Sequence, residues 1–506
     1  MTHRALLGAL LAALLTALVV VAAIPAPASA SASQQSIFQE DDYLLRADDE
    51  GRERTLDELQ ALGVDSIHTL VGWSSIAPDA ESTRRPSFDA TDPAAYPAHH
   101  FDPYDGLLRS AQARGMSVIF TVNGFAPAWA SDCGGTVAER RRCSPDVAEF
   151  QRLVIALARR YSGSYSDENG GGPLPRVTRW SVYNEPNQGG WLTPQWSRRS
   201  GTMVPEAPQR YRRLFQATTR ALDATGHGDD TVLFGETAPL GRTSGSWTTR
   251  SLAPLRFLRE AMCLDAHWRP FSGRDARLRG CHSREVFDVA GYAHHPYTRA
   301  ASSDPAGSVA TNDVTVSTLT RLRIGLDRAA RAGRIPRNIP ILLTEHGFQT
   351  DPPDSRAGTT LRRQARWLNY SDWMAYRQSR VKGVSQYQLF DEPNLAGFQT
   401  GLRFHSGTAK PSLAAYRLPV WVSRYGSRGT RVWGQARPAP RAGGGPVEIQ
   451  LASRTGDFRT LTTVTPNARG FVHVKLARRA SRWRLRWTAP SGEQFTSRSA
   501  RESDGL

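Results

Sequence analysis

Two short segments carry acids where acids could do chemistry. Trp180-Ser181-Val182-Tyr183 runs into Asn184-Glu185-Pro186-Asn187, and Ile341-Leu342-Leu343-Thr344 runs into Glu345-His346-Gly347. In both, an apolar run of strand character stops at a glutamate and a loop begins. A single glutamate there is ordinarily a solvated loop residue. Two of them are harder to dismiss if the chain brings their strand ends together, because one carboxyl can then hold a proton while the other holds a charge. The surrounding elements decide whether they meet.

From about Ser36 to Leu418 short β-rich runs alternate with longer amphipathic ones. The spacing predicts strands at Ser66–Val71, Ser117–Asn123, Thr178–Asn184, Thr231–Glu236, Phe287–His294, Ile339–Glu345 and Val384–Phe390, with a weaker first strand near Ile37–Leu45. Segments such as Arg54–Leu62, Val147–Tyr161 and Gln209–Ala224 repeat apolar residues at three and four, the helical period. Eight strand–helix units over nearly 400 residues fit a (β/α)8 barrel, an α/β fold, with loop insertions. In such a barrel catalytic groups sit at the C-terminal strand ends, and the fourth and seventh ends face each other across its mouth. No Gly-x-Gly-x-x-Gly turn follows the first strand, which argues against a dinucleotide sheet.

Past Leu418 helical periodicity stops. The turn-rich segment from Pro438 to Pro446 is followed by alternating runs at Val447–Leu451, Thr460–Val464, Gly470–Leu476 and Trp483–Trp487, the pattern of a small all-β sandwich. The expected division is a leader over residues 1–30, a barrel over 33–418 and a β module over 430–506, with the boundary between Pro419 and Gly434.

Several segments in this order resemble the glycoside hydrolases of clan A, the barrel superfamily that includes families five and thirty-nine. Thr55–Pro78, ending in Trp73-Ser74-Ser75-Ile76-Ala77-Pro78, resembles its second-strand region. Asn184-Glu185-Pro186 is similar to its acid/base motif, Thr344-Glu345-His346-Gly347 to its nucleophile segment, His295-Pro296-Tyr297 to the His-x-Tyr after its sixth strand, and Gly407–Pro411 to its closing segment. The resemblance implies a retaining glycosidase with Glu345 as nucleophile and Glu185 as acid/base. Glu345 is then expected ionised, and Glu185 protonated through a raised pKa. It further implies that Asn184 bonds the sugar's 2-hydroxyl, that Tyr297 donates to Glu345, and that His295 lines the sugar site. One position departs. The clan's arginine near the second strand end is His68 here, counted among the substrate-binding candidates, which brings no permanent charge; Glu345 then has a higher pKa or another cationic partner. A non-catalytic glycan binder on the same barrel is the alternative reading.

Two acidic segments are decoys. Asp391-Glu392-Pro393-Asn394 echoes the acid/base motif but ends the eighth strand, and reads as a substrate rim or a structural turn. Glu236, ending the fifth strand, reads equally as a sugar contact or a structural hydrogen bond. Aromatic faces stack on sugars, so Trp73, Trp129, Trp191, Trp196 and Tyr387 are candidates. Trp191 and Trp196 are the preferred platforms, since Trp73 and Trp129 read equally as core.

The 506 residues carry a formal charge of +17. This does not read as a nucleic-acid footprint: the only lysines are Lys382, Lys410 and Lys475, and the arginines are dispersed rather than gathered in one stripe among aromatics. The positive start Met-Thr-His-Arg, the apolar stretch Ala5–Ile24 and the small residues through Ala32 form a secretory signal, with an uncleaved anchor as the alternative. The four cysteines fall into two local pairs, Cys133 with Cys143 and Cys263 with Cys281. An even number at short spacing suits loop-stapling disulfides in an oxidising compartment; Cys281 with His282 does not complete a zinc set. The expected protein is secreted, extracellular or wall-associated, takes a carbohydrate substrate, and needs no metal or organic cofactor.

Overall fold

The computed structural model describes residues 31–281, 286–300, 302–439, 445–453 and 455–502. The expected signal segment and His282 lie outside them. Eight parallel strands close into a barrel: β1 (Gln35–Gln39), β2 (Ser66–Gly72), β3 (Ser117–Asn123), β4 (Arg179–Val182), β5 (Thr231–Thr237), β6 (Gly291–His294), β7 (Ile341–Leu343) and β8 (Val381–Tyr387). One main helix follows each: α1 (Asp49–Ala61), α2 (Asp102–Ala113), α3 (Val147–Arg160), α4 (Ala207–Ala224), α5 (Pro254–Ala261), α6 (Leu319–Arg331), α7 (Leu361–Tyr376) and α8 (Pro411–Arg417). The strands are buried on both faces, which is why β2 and β3 read as near-continuous β-branched and apolar runs. Helix starts are fixed locally: Asp48 accepts from the Gly51 amide and Asp146 from the Glu149 amide, each at 2.8 Å.

Inside the barrel Ile37, Ile119, Leu233, Ala293 and Leu342 form an apolar plug. Toward the mouth the inward positions turn polar, as Ile37 gives way to Gln39 and Ile119 to Thr121. On β5 the alternation breaks. The pairing with β6 shifts register between Gly235 and Thr237, and Glu236 adopts φ 46°. A bulge re-aims the side chain at its site, and here it buries Glu236 completely. Gly235 cannot be replaced at this bend: its φ is 124°, and a Cβ would stand 2.4 Å from the Ala293 carbonyl oxygen.

The first strand is shorter than its sequence pattern. It ends at Gln39, and Asp42–Arg46 forms a π-helical turn burying Leu44. Just before the turn Glu40 accepts from the Leu389 and Phe390 amides at 2.6 and 3.2 Å, which ties the exit of β1 to that of β8.

The C-terminal region contains two antiparallel sheets. One holds β9 (Val420–Tyr425), β10 (Gly429–Gln435) and β13 (Phe471–Leu476); the other holds β11 (Val447–Ala452), β12 (Phe458–Val464), β14 (Trp483–Thr488) and β15 (Gln494–Thr496). Val420, Val422 and Val432 of the first pack with Ile449, Leu451, Trp483 and Leu485 of the second, so the sheets share one core as a sandwich does. This core begins at Leu418, ahead of residue 430. The module joins the barrel through Trp421, Trp433 and Phe471 against Trp373 and Tyr376 of α7. Arg469 adds an ion pair with Asp65 at 2.8 Å. Asp65 immediately precedes β2, so this contact lies at the end of the barrel away from the mouth.

Candidate active site

The mouth holds a cavity of about 520 Å³ whose walls include Asn184, Glu185, Trp191, Tyr297, Glu345 and Tyr387. Glu185 arrives from β4. Tyr183 and Glu185 both have positive φ, 59° and 41°, a backbone state that non-glycine residues adopt at a cost of about 1–3 kcal/mol. The turn is held by the Glu185 amide bonding to the Glu236 carbonyl at 2.9 Å. It is also held by Asn187, whose side chain donates to the Ala238 and Leu252 carbonyls and accepts from the Ala238 amide. The Asn-Glu-Pro-Asn run thus supplies its own anchor. Glu345 sits two residues beyond β7, and the neighbouring Thr344 amide bonds to the His294 carbonyl at 3.2 Å.

The two glutamates meet. One oxygen of Glu185, one of Glu345 and a ring nitrogen of His295 lie within 4.8 Å of one another. His295 Nδ1 is 3.1 Å from Glu185 Oε1 and 3.5 Å from Glu345 Oε2, and its Nε2 is 2.9 Å from Glu236 Oε2. The Tyr297 hydroxyl donates to Glu345 Oε2 at 3.3 Å. Asn184 is 3 % exposed and receives no protein hydrogen bond at its Oδ1 among the described residues, so this acceptor is free for a hydroxyl in the cavity.

Burial pushes the Glu345 carboxyl up to about 7; the His295 charge opposes the rise, and Glu185, Glu236 and Asp41 reinforce it. A higher Glu345 pKa and another cationic partner are the two outcomes expected of a histidine at position 68. Burial works against a charged His295, yet Glu345, Glu185 and Glu236 together hold the ring protonated well above its ordinary range. Burial takes His68 down to about 4, leaving it neutral. Glu236 resists its own burial, and the histidines and hydrogen bonds around it bring its carboxyl down to about 2. Near neutral pH, where His68 is uncharged, the positive charge facing Glu236 is that of His295; the charge of His68 joins it only below about pH 4. The ligand atoms of the Glu185–His295–Glu345 trio are close enough to hold a cation, and holding one would require His295 Nδ1 to give up its proton.

Some expected residues lie elsewhere. His68 is fully buried beneath the cavity, bonded through Nδ1 to Gln39 and through Nε2 to Thr121, both at 2.7 Å, and cannot reach a substrate. His295 lies below the two glutamates rather than on the cavity wall. Trp196 is in a hairpin arm between β4 and α4, packed edge-on against Trp247 at 5.2 Å and under the Arg256 guanidinium, so it is no wall of this cavity. Trp191 is one, stacked on Phe125 at 5.4 Å. Trp73 and Trp129 are core. The decoy at β8 divides: Asp391 is buried against Lys410 at 2.6 Å, whereas Glu392 lines the cavity. Cys133 is bonded to Cys143 and Cys263 to Cys281.

Sequence reasoning missed Asp41 and Phe398, which both line the cavity. Asp41 accepts from Thr69 and Gln39 at 2.7 and 3.2 Å, and Phe398 is 46 % exposed and stands edge-on to Tyr387. Asp41 had a signal, being an acid just after a strand, but the strand was read too long.

No family model matches the chain, and no curated protein matches its sequence. Among solved structures it is similar to a glucosidase from Croceicoccus marinus, at 14 % identity and TM-score 0.45, covering 82 % of this chain and 78 % of that one. A family 39 glycoside hydrolase from Bacteroides cellulosilyticus WH2 is similar at 15 % identity and TM-score 0.47, covering 88 % and 80 %. A beta-glycosidase from Pyrococcus horikoshii is similar at 13 % and 0.42, covering 77 % and 93 %. These likenesses are distant, and the reaction rests on the site's own geometry.

Proposed function

We propose that the chain is a secreted retaining glycoside hydrolase that cleaves O-glycosidic bonds of a polysaccharide or glycoconjugate by double displacement. One observation carries the reading: Glu185 and Glu345, from strands on opposite sides of the barrel, bring carboxylate oxygens within 4.8 Å of each other in a cavity. Retaining enzymes hold their two carboxyls about 5–5.5 Å apart, whereas inverting ones leave about 6.5–9.5 Å for a water between them. At the spacing here Glu345 attacks the anomeric carbon while Glu185 gives its proton to the leaving oxygen. Glu185 then takes a proton from water, which attacks the same carbon and releases Glu345. Asn184 Oδ1 accepts the 2-hydroxyl, a bond that strengthens as the oxocarbenium-like transition state develops. Secretion is supported by the N-terminal leader pattern and the two disulfides.

The test is labelling with a panel of activated 2-fluoro glycosides, followed by peptide mapping. A covalent adduct on Glu345 is expected. An adduct on another carboxylate would reassign the nucleophile. Absence of adducts and of turnover across the panel, with glycan binding retained, would leave the non-catalytic binder.

A further inference from the structure

We propose that Glu236 is a positioning residue for the carboxyl pair: buried beneath the cavity, it orients His295 so that a doubly donating imidazole ring stands between Glu185 and Glu345, where β2 supplies no arginine. This rests on the reading of Glu185 and Glu345 as acid/base and nucleophile. Glu236 cannot touch a substrate, since it has no exposed surface.

The geometry fixes what Glu236 does instead. Its Oε2 accepts from His295 Nε2 at 2.9 Å and from the Thr344 hydroxyl. Its Oε1 stands 3.2 Å from the Thr121 hydroxyl and 3.6 Å from His68 Nε2. The opposite ring nitrogen of His295 faces Glu185 and Glu345. An ionised carboxylate only accepts hydrogen bonds, and a neutral imidazole donates from one nitrogen alone. A ring with carboxylates at both nitrogens is therefore satisfied when both carry protons. Among the described residues no lysine or arginine pairs with Glu185, Glu236 or Glu345, so His295 is their cation. Thr344 links the arrangement to Glu345 through the backbone, because it is the preceding residue and its hydroxyl is held by Glu236.

The groups around the ring agree. His68 on β2 and His294 on β6 are buried and pushed to about 4 and 3, hence neutral. Glu185, Glu236 and Glu345, from β4, β5 and β7, all favour the protonated ring. Tyr297 bonds Glu345, and the charge of Asp41, after β1, raises the Glu345 carboxyl. The bulge at Gly235 and Glu236 is the backbone device that turns this carboxylate inward.

The expected consequence concerns Glu345. In Glu236→Gln the ring loses its buried anion and gives up a proton. Glu345 then loses the cation at 3.5 Å and becomes harder to ionise. The acid limb of kcat/KM should move up by about one pH unit, which lowers activity about tenfold below it, with KM changed less than kcat. Glu236→Asp should recover part of the shift. Nitrogen-15 NMR of the wild-type histidines, with His295 assigned by its loss in His295→Gln, should show both ring nitrogens protonated at pH 7.5. That measurement needs no folded Glu236 variant. A neutral His295 in the wild type overturns the proposal, as does a folded Glu236→Gln with an unmoved pH profile. If Glu345 is labelled normally by a 2-fluoro glycoside in those cases, the glycosidase reading survives and this one alone fails. If the wild type is not labelled or active on any glycoside, both fail.

Discussion

Glu185 and Glu345 lie 160 positions apart in the chain and approach within 4.8 Å at the mouth of the barrel. Their separate duties can be told apart kinetically. Glu185→Ala removes the proton donor, so glycosides with poor leaving groups should lose about 10²–10⁴-fold in kcat, while dinitrophenyl glycosides, which need no proton, should be cleaved nearly as before in the first step. Glu345→Ala should abolish both. Equal losses in kcat/KM, which reports the first step, for all leaving groups in Glu185→Ala would contradict the assignment.

The pH dependence follows from the burial of Glu345. A nucleophilic carboxylate must be ionised, and this one titrates near 7. For the free enzyme kcat/KM should therefore fall tenfold per unit as pH drops below about 7. An acid limb near 4.5, the ordinary glutamate value, would show that the His295 charge outweighs burial.

The same shift makes a statement about stability. A carboxyl raised from 4.5 to about 7 on folding disfavours the folded state progressively as pH rises from 4.5 to 7, by about 3 kcal/mol in all. Glu236 has the opposite sign: lowered to about 2, it contributes stability above 4.5 that is lost as pH falls toward 2. Glu345→Gln, which mimics the protonated acid, should raise the thermal midpoint at pH 8 and leave it unchanged at pH 4. Differential scanning calorimetry at both pH values checks this.

The cavity wall offers a further test. Trp191 stacks on Phe125, over which lies the Arg141 guanidinium at 5.9 Å; Arg141 also bonds Ser74 at 2.8 Å. Arg141 belongs to the loop closed by Cys133 and Cys143. Trp191→Ala should raise KM several-fold, in line with about 0.5–1.5 kcal/mol for an aromatic contact, with kcat little altered. Replacing both Cys133 and Cys143 by serine should raise KM in the same direction by loosening the wall, as steady-state kinetics on one substrate would report.

What the sequence revealed depended on how local each cause was. Glu185 and Glu345 were legible because an apolar run ending at an acid is a pattern of neighbours, and eight repeats of strand and helix say where such ends meet. Glu236 was not resolved, because its inward turn depends on a register slip between β5 and β6; Gly235 just before it was the one hint, a glycine inside a strand pattern being a mark of a bulge. His68 and His295 were placed on the sugar site because sequence gives the strand end but not the depth. Trp196 misled for a related reason: it follows the acid/base loop closely, but a hairpin carries it away toward Trp247.

The module at the other end of the barrel should matter to stability and not to catalysis. Trp433 is 1 % exposed and packs between Trp373 and Tyr376 of α7 and Phe471 of β13. Among the described residues, none beyond Thr400 lines the cavity. Trp433→Ala should cost about 3–5 kcal/mol, the usual range for removing a buried aromatic, and should lower the midpoint of urea unfolding. Below the melting range kcat and KM should match the wild type. A changed KM for long glycans with unchanged KM for short ones would instead mean that the module takes part in holding substrate.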